Sequence, residues 1–445
     1  MLGESRCLEL LDSALSAAGS DQAEAFIYAT SGALTRFAES VIHQNVAEHN
    51  AIVSVRAVLG KPATRMAGKR IGCARGNQAT AGEIADVARR ARGLAEVAAE
   101  DAEFASLPSP GQYASANACS ESTASCTPEQ RAEIARAIVG VCERRGCRAS
   151  GSISTDSIEI AVANSLGIRA YARMTPASVI LVASSDDASG YAEWRGQDIA
   201  ALGPSALAET AAQKCLDSRG AEAIAPGEYT VILEPPAVGD LLGMLGYMGF
   251  GALAFQEGRS FITGRIGEKV MGDSITIYDD PLDPRAVPLP FDWEGVPAQK
   301  VMLIENGLAR GVVYDSKTAH KEDKQSTGHA TPAPSTHGPY PFHLFLAPGD
   351  AALDQMIAST DRGILVTRFH YTNIIHEKQT IITGMTRDGT FLIEKGKIAK
   401  PLKNLRFTQS IVEALSNVST VGKDASLVES AFTPALKIES FSFTS

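Results

Sequence analysis

The chain has 445 residues, of which 44% are hydrophobic and 6% aromatic, and its formal net charge is −10. That length can bury the cores of two or three domains, and an acidic balance of 41 basic against 51 acidic residues argues against a duplex-binding surface. The seven cysteines are odd in number and form no C-x-x-C pair, so neither a disulfide framework nor a zinc ribbon is expected, and a reducing cytosol is the natural compartment.

The N-terminus carries acids inside an amphipathic pattern, unlike a signal peptide. Residues 2–18 predict a first helix, with Leu2, Leu8, Leu11 and Leu15 on an apolar stripe and Gly19 as its stop. Residues 23–29 and 34–38 read as a hairpin turning through 30–33. Residues 50–59 alternate as a strand that Gly60 and Pro62 close, and 69–74 make another. The basic residues Arg65, Lys69, Arg70 and Arg75 are the nearest thing to a cluster. Arg89, Arg90 and Arg92 fall on the solvated side of a helix over 81–99, whose inner face is Ile84, Val87, Ala88, Ala91, Leu94 and Val97.

Residues 105–127, rich in Ser, Ala and Pro, predict a loop or linker. Thr127 then offers an N-cap, with Pro128 in the first turn and Gln130 nearby. Ile134, Ile138 and Val141 face inward on that helix. Two strands, 149–160 and 161–172, follow, with a turn at 164–167. A buried strand spans 179–184, and a helix over 207–219 ends near Gly220. Pro226–Gly227 is the best boundary, dividing the chain into 1–220 and 227–445.

Beyond it, 229–233 alternates as a strand that Pro235–Pro236 ends. Residues 241–255 contain no charge, and Leu241, Leu242, Leu245 and Met248 share a helical face. Gly239, Gly243, Gly246 and Gly249 on that helix predict the close approach of another backbone. Fifteen apolar residues fall short of the roughly 20 a membrane span needs. Strands are expected at 274–278 and 435–443, and a short helix at 410–418. Asn306–Gly307 lies between two alternating runs over 298–313, a strong hairpin signal, and the same device recurs at Arg387–Asp388–Gly389 and Lys395–Gly396. The fold class is therefore α+β: an N-terminal α/β domain with helices on a mixed sheet, then a β-rich, barrel-like C-terminal domain.

Motifs for chemistry are sparse. The chain has no phosphate loop, no G-x-S-x-G elbow, no dinucleotide fingerprint, and neither H-E-x-x-H nor H-E-x-x-x-H. His320, His329, His337 and His343 sit in one Pro- and Gly-rich loop, at spacings unlike the close ligand pairs of zinc sites. They read as exposed or structural histidines. His370 and His376 can share one face of a strand. Two charged clusters adjoin glycines: Glu257, Arg259 and Arg265 in one, Arg368, Arg387 and Asp388 in the other. Arginine beside glycine can hold a substrate carboxylate in a bidentate grip; the competing reading is an internal ion pair fixing a turn. The substrate-binding candidates are thus Glu257, Arg259, Arg265, Arg368, His370, Arg387 and Asp388. No catalytic residue and no metal ligand is expected.

Several strings together resemble one family. They are TRFAESVIHQNVAEHN (35–50), VANSLGIRAY (162–171), GYAEW (190–194), FQEGRSFITGRIGEKV (255–270), DDPLDPR (279–285), FDWEGVPAQKVMLIENG (291–307), STGHA (326–330) and GMTRDGTFLIEKGKI (384–398). Their combination and order resemble the TldD/PmbA family, also called modulators of DNA gyrase. The resemblance implies a pair of related subunits forming a cytosolic metallopeptidase that trims, matures or degrades peptides. The TldD-type subunit of such a pair holds zinc on an H-E-x-x-x-H helix, where the glutamate acts as general base. Here the corresponding helix, LLGMLGYMGFGALAF, has neither His nor Glu, and no cysteine follows Cys215. The chain therefore resembles the TldE/PmbA-type subunit. What this implies is a cytoplasmic protein with no cofactor of its own and zinc in a TldD-type partner. It would form a heterodimer or homodimer, take a peptide substrate, engage no membrane and not bind nucleic acid directly. The alternatives are a stand-alone hydrolase with ligands among His320, His329, His337 and His370, or a gyrase-modulating binding protein.

Overall fold

A computed structural model describes residues 1–60 and 68–445; the Pro62 stop and Arg65 lie outside the described residues. The N-terminal sheet is built on Gln22–Ala38, which pairs with Val41–Leu59 on one side and Arg148–Asn164 on the other. Gln22–Ala38 is one strand, not the hairpin expected through 30–33. Thr30 pairs with both Asn50 and Ile158, and Gly32 with both Glu48 and Asp156, so two neighbours hold the turn-like residues extended. The reversal comes at Glu39–Ser40, both at positive φ (49° and 63°), as a tight hairpin requires. Arg148–Asn164 likewise runs unbroken past residue 160, and the turn at 164–167 delivers it into Arg169–Met174. Lys69–Gly76, Ala177–Ser184 and Ser189–Gly196 extend the sheet outward. Every pairing recorded in it is antiparallel, where a mixed sheet was expected: tight reversals set consecutive strands antiparallel, and the non-consecutive neighbours Gln22–Ala38 and Arg148–Asn164 also meet antiparallel.

Helices cover the sheet at two places. Glu4–Ala18 and Ala81–Val97 bury Leu10, Leu11, Ile84, Val87, Ala88 and Ala91 against Ile27, Val53 and Val55. Leu94 and Val97, placed inward by their spacing, are exposed; Ala95 takes the buried position. Pro128–Arg144 opens with a capping box from Thr127 and Gln130. With Pro204–Asp217 it packs Ile138, Val141 and Ala208 on Ile153, Val179 and Leu181. The 105–127 stretch is a packed strap: Leu107 is buried, and the Tyr113 hydroxyl donates to the Gly295 carbonyl at 2.8 Å.

The C-terminal sheet has 11 strands. Five of them close on themselves: Gly227–Leu233, Arg362–His376, Ile381–Glu394, Arg406–Ser410 and Ala431–Phe443, the last pairing back to the first. Phe369, Phe407 and Phe441 fill the ring, with centroids 4.4–5.9 Å apart. Asn306–Gly307 and Lys395–Gly396 turn as expected, with φ of 50° and 77° and of 50° and 74°. Asp388–Gly389 does not turn. It is a bulge inside Ile381–Glu394 (φ 55° and 131°), opposite a register shift between Val366 and Arg368. The strand expected at 274–278 is Ile277–Asp279, and the short helix is Ile411–Ser416.

Pro235–Gly249 forms the apolar helix, with its prolines in the first turn where no N–H is missed. The helix stops at Phe250–Gly251, before a separate turn Ala252–Gln256. Side chains, not a second backbone, press on most of its glycines: Val428 at Gly239, Leu344 at Gly246 and Phe261 at Gly249. The Pro339 backbone approaches only Gly251. No described helix is long and apolar enough to cross a membrane. Trp293 locks the two sheets together, packing its ring 5.1 Å from Phe26 and 5.7 Å from Tyr28. Arg56 bridges Glu24 (2.7 Å) and Glu294 (3.2 Å) beside it.

Candidate functional site

The helix Pro235–Gly249 buries most of its surface, yet Pro236, Asp240, Gly243 and Tyr247 are not buried. Their spacing puts them on one face, and a Cβ added at Gly243 would meet nothing within 4 Å. This face lies open between Thr372, in contact with Asp240, and His337, stacked on Tyr247, and that interval is the candidate groove.

At one end stands Asp240, the only charged residue of the helix. Thr372 Oγ1 donates to its Oδ2 at 3.3 Å. Burial pushes its carboxyl up to about 7; Glu429 and Glu193 push the same way, while the Thr372 bond and Arg368 oppose them. The sign follows directly. The folded chain disfavours the carboxylate, so the stability contributed by the neutral form is full below about pH 4 and is lost as pH rises towards 7. Asp240→Asn is expected to raise the melting temperature at pH 8 and to leave it unchanged at pH 4. The gain is about 1–2 kcal/mol once the partial exposure of the side chain is discounted. Melting curves of both chains across pH 4–8 test this, and parallel curves would refute it.

At the other end Tyr247 stacks on His337, ring centroids 4.6 Å apart. Burial lowers the His337 pKa, and Arg259 lowers it further. Arg259 donates to Glu257 at 2.9 and 2.7 Å and to Glu377 at 3.3 Å. So Glu257 and Arg259 form an exposed ionic rim beside the aromatic pair.

The wall is the bulge. Arg368 donates its Nε to Asp388 at 2.8 Å, and its guanidinium lies 4.3 Å from the Tyr191 ring centroid. Ser189 Oγ donates to the other Asp388 oxygen at 2.6 Å. The pair is thus an internal joint, pinning the C-terminal bulge to Ser189–Gly196 of the other domain. Arg387 points outward near it. The pKa of His370, on the same strand as Thr372, is lowered by slight burial and by Arg387 and Arg368. Beyond Asp388 a cavity of about 520 Å³ opens between the domains, lined by Ser184, Ser218 and Lys403 among others. The structure does not bring Arg265 to the groove. It donates to Glu268 (3.3 Å) and to the Lys269 carbonyl (3.1 Å), and lines a neighbouring cavity with Lys378 and Glu413.

The histidines of the alternative ligand set do not gather. His320 is exposed on the short helix Ser316–Lys321. His329 is buried, with Nε2 2.8 Å from Asp279 Oδ1 and Nδ1 2.9 Å from the Thr327 carbonyl. The other Asp279 oxygen accepts the His343 backbone N–H at 2.7 Å. Among the described residues no three His, Cys, Asp or Glu side chains form a metal-ligand group.

Sequence reasoning missed Asp240, Tyr247, Thr372, Glu193 and Tyr191. A signal existed for the first two: a lone acid in an apolar helix, three residues before Gly243 and seven before Tyr247.

Residues 226–445 match the model of the PmbA/TldA metallopeptidase C-terminal domain. A metalloprotease of Methanothermobacter thermautotrophicus is 29% identical over 203 residues, covering 44% of this chain and 43% of that protein. A metalloprotease TldD homolog of Haemophilus influenzae is 31% identical over 171 residues, covering 38% and 35%. The chain therefore spans less than half the length of the curated relatives it matches. The crystal structure of TldE from Thermococcus kodakarensis superposes with a TM-score of 0.87 at 22% identity, covering 98% of this chain and 99% of that one. The C-terminal domain, residues 226–445, belongs to the TldD/PmbA family.

Proposed function

We propose that the chain is the TldE/PmbA-like subunit of a cytoplasmic metallopeptidase complex that cleaves or matures peptides, with a TldD-type partner carrying the metal. The observation that carries this reading is the groove over Pro235–Gly249. Its floor is open at Gly243 and offers Asp240 and Tyr247, and the helix has no His or Glu. A catalytic zinc takes three protein ligands. One carboxylate and an imidazole stacked on a tyrosine do not make that set, so no step through a metal is assigned to this chain. Its own residues bind and orient. Glu257, Arg259 and Arg387 supply charge at the rim for peptide termini and side chains and His370 a neutral imidazole, while Arg368 and Asp388 hold the wall in place.

Elemental analysis and a peptide-cleavage assay test the reading. The purified chain is expected to hold no stoichiometric zinc and to cleave nothing alone, and cleavage is expected once a TldD-type chain with H-E-x-x-x-H is added. Stoichiometric zinc with cleavage by this chain alone would overturn it.

A further inference from the structure

The cavity beyond Asp388 lies where the two domains meet, and its two walls differ in sign. One wall is the turn between Ala177–Ser184 and Ser189–Gly196, together with Ser218 and Ala221. The other is the bulge 388–390 and the stretch 402–404. On the first wall stands Asp187. Its oxygens accept from the Gly220 N–H at 3.1 Å and from the Ser185 hydroxyl at 3.4 Å, but no cation among the described residues pairs with it. Ser218 caps the C-terminus of Pro204–Asp217, where the helix dipole adds negative potential. On the second wall stands Lys403. Its neighbour Lys400 pairs with Glu222, whereas Lys403 has no carboxylate partner among the described residues. Asp388, the other acid of the lining, is neutralised by Arg368. Asp187 and Lys403 therefore line one cavity without forming an ion pair.

Two hydroxyls of the lining lack partners as well. Thr390 keeps 2% of its surface in solvent and Ser218 9%, and neither hydroxyl has a hydrogen-bond partner among the described residues. Buried hydroxyls are ordinarily paired, so these two are groups that a bound molecule would satisfy.

We propose that this cavity binds a dipeptide with both termini free, its ammonium at Asp187 and its carboxylate at Lys403. The charges select that class. A simple anion leaves Asp187 unmatched, a simple cation leaves Lys403 unmatched, and a neutral sugar leaves both. A zwitterion matches each wall through charge-assisted hydrogen bonds. Because Asp187 and Lys403 stand apart, the two charges belong at opposite ends of the ligand, as in a dipeptide, and not on one carbon as in a free amino acid. The volume, about 520 Å³, falls in the range of small-molecule sites, which favour domain interfaces. The bound dipeptide bridges the two domains. The proposal stands apart from the peptidase reading, and its test uses this chain alone and no cleavage.

Isothermal titration of the chain with L-alanyl-L-alanine decides it. One molecule per chain is expected to bind. N-acetyl-alanyl-alanine lacks the ammonium and alanyl-alanine amide lacks the carboxylate, and each is expected to bind at least about tenfold more weakly. Lys403→Gln is expected to weaken the free dipeptide by a similar factor and to leave the amide unchanged. Asp187→Asn is expected to weaken the free dipeptide likewise and to leave the acetylated form unchanged. Both residues are exposed, so both variants are expected to keep the wild-type circular dichroism and melting temperature. No binding of the free dipeptide overturns the proposal. So do blocked dipeptides that bind as tightly as the free one, and variants that keep the wild-type affinity.

Discussion

Gly243→Trp is expected to lower peptide cleavage by the assembled complex at least about tenfold while leaving the melting temperature within a degree or so of wild type. The argument is steric. A Cβ at Gly243 meets no atom within 4 Å, so an indole there projects into the groove between Asp240 and Tyr247 and displaces whatever crosses that face. Folding should not suffer, because glycine is among the poorest helix formers and replacing it in a helix interior recovers up to about 1 kcal/mol. Tenfold corresponds to about 1.4 kcal/mol of lost transition-state stabilisation, a modest demand for a side chain filling a binding groove. The control is Gly246→Leu, one turn on and turned inward, where Leu344, Pro341 and the Tyr340 hydroxyl crowd the added atoms. Overpacking there is expected to cost about 1–3 kcal/mol, so that variant should lose stability first. Assays are melting curves and cleavage of an unstructured peptide by the complex. If Gly243→Trp cleaves like wild type, the peptide does not pass over this helix.

Asp279→Ala is expected to be the most destabilising single change in the C-terminal domain, costing about 3–5 kcal/mol. Asp279 is fully buried and holds two otherwise separate pieces of the 322–343 loop, accepting from the His329 ring with one oxygen and from the His343 backbone N–H with the other. Removing the carboxylate strands both donors in the interior, and each buried group left unpaired costs about 1–3 kcal/mol. Asp279→Asn keeps one acceptor and should fall between the two. The readouts are chemical denaturation and the rate of protease nicking within 322–343, which should rise in the alanine variant. A cost below about 1 kcal/mol with unchanged nicking would mean that the loop is held elsewhere.

Where local chemistry decides the outcome, the sequence was informative. Thr127, Pro128 and Gln130 mark a helix start because the cap, the proline and the returning glutamine act within one turn, and they form that capping box. Asn306–Gly307 marks a turn for the same reason. Long-range pairing erased such signals elsewhere. Thr30–Gly32 has the composition of a turn, yet strands on both sides hold it straight. The real reversal at Glu39–Ser40 uses residues that tolerate positive φ poorly and so announces nothing. Asp388–Gly389 needs positive φ whether it turns or bulges, and only the neighbouring strands choose between the two. The site follows the same division. Charges beside glycines led to Arg368 and Asp388, which are indeed together, but as a joint between domains. Asp240 went unseen because hydrophobic periodicity sorts a helix into core and surface, and a groove over an apolar helix is neither.

The closed ring of the C-terminal domain bears on how the protein is made. Gly227–Leu233 is among the first of its strands to leave the ribosome, and its ladder to Ala431–Phe443 completes the barrel. Until then the first strand can be held only by its parallel pairing with Arg362–His376, itself synthesised long after. The helix Pro235–Gly249, with its leucines and two methionines, must therefore wait through most of the domain's translation without the strands that will bury it. Slow, non-local closure of this kind leaves apolar surface open to chance encounters. The nascent chain is consequently more prone to aggregate than its acidic, well-packed final form would indicate.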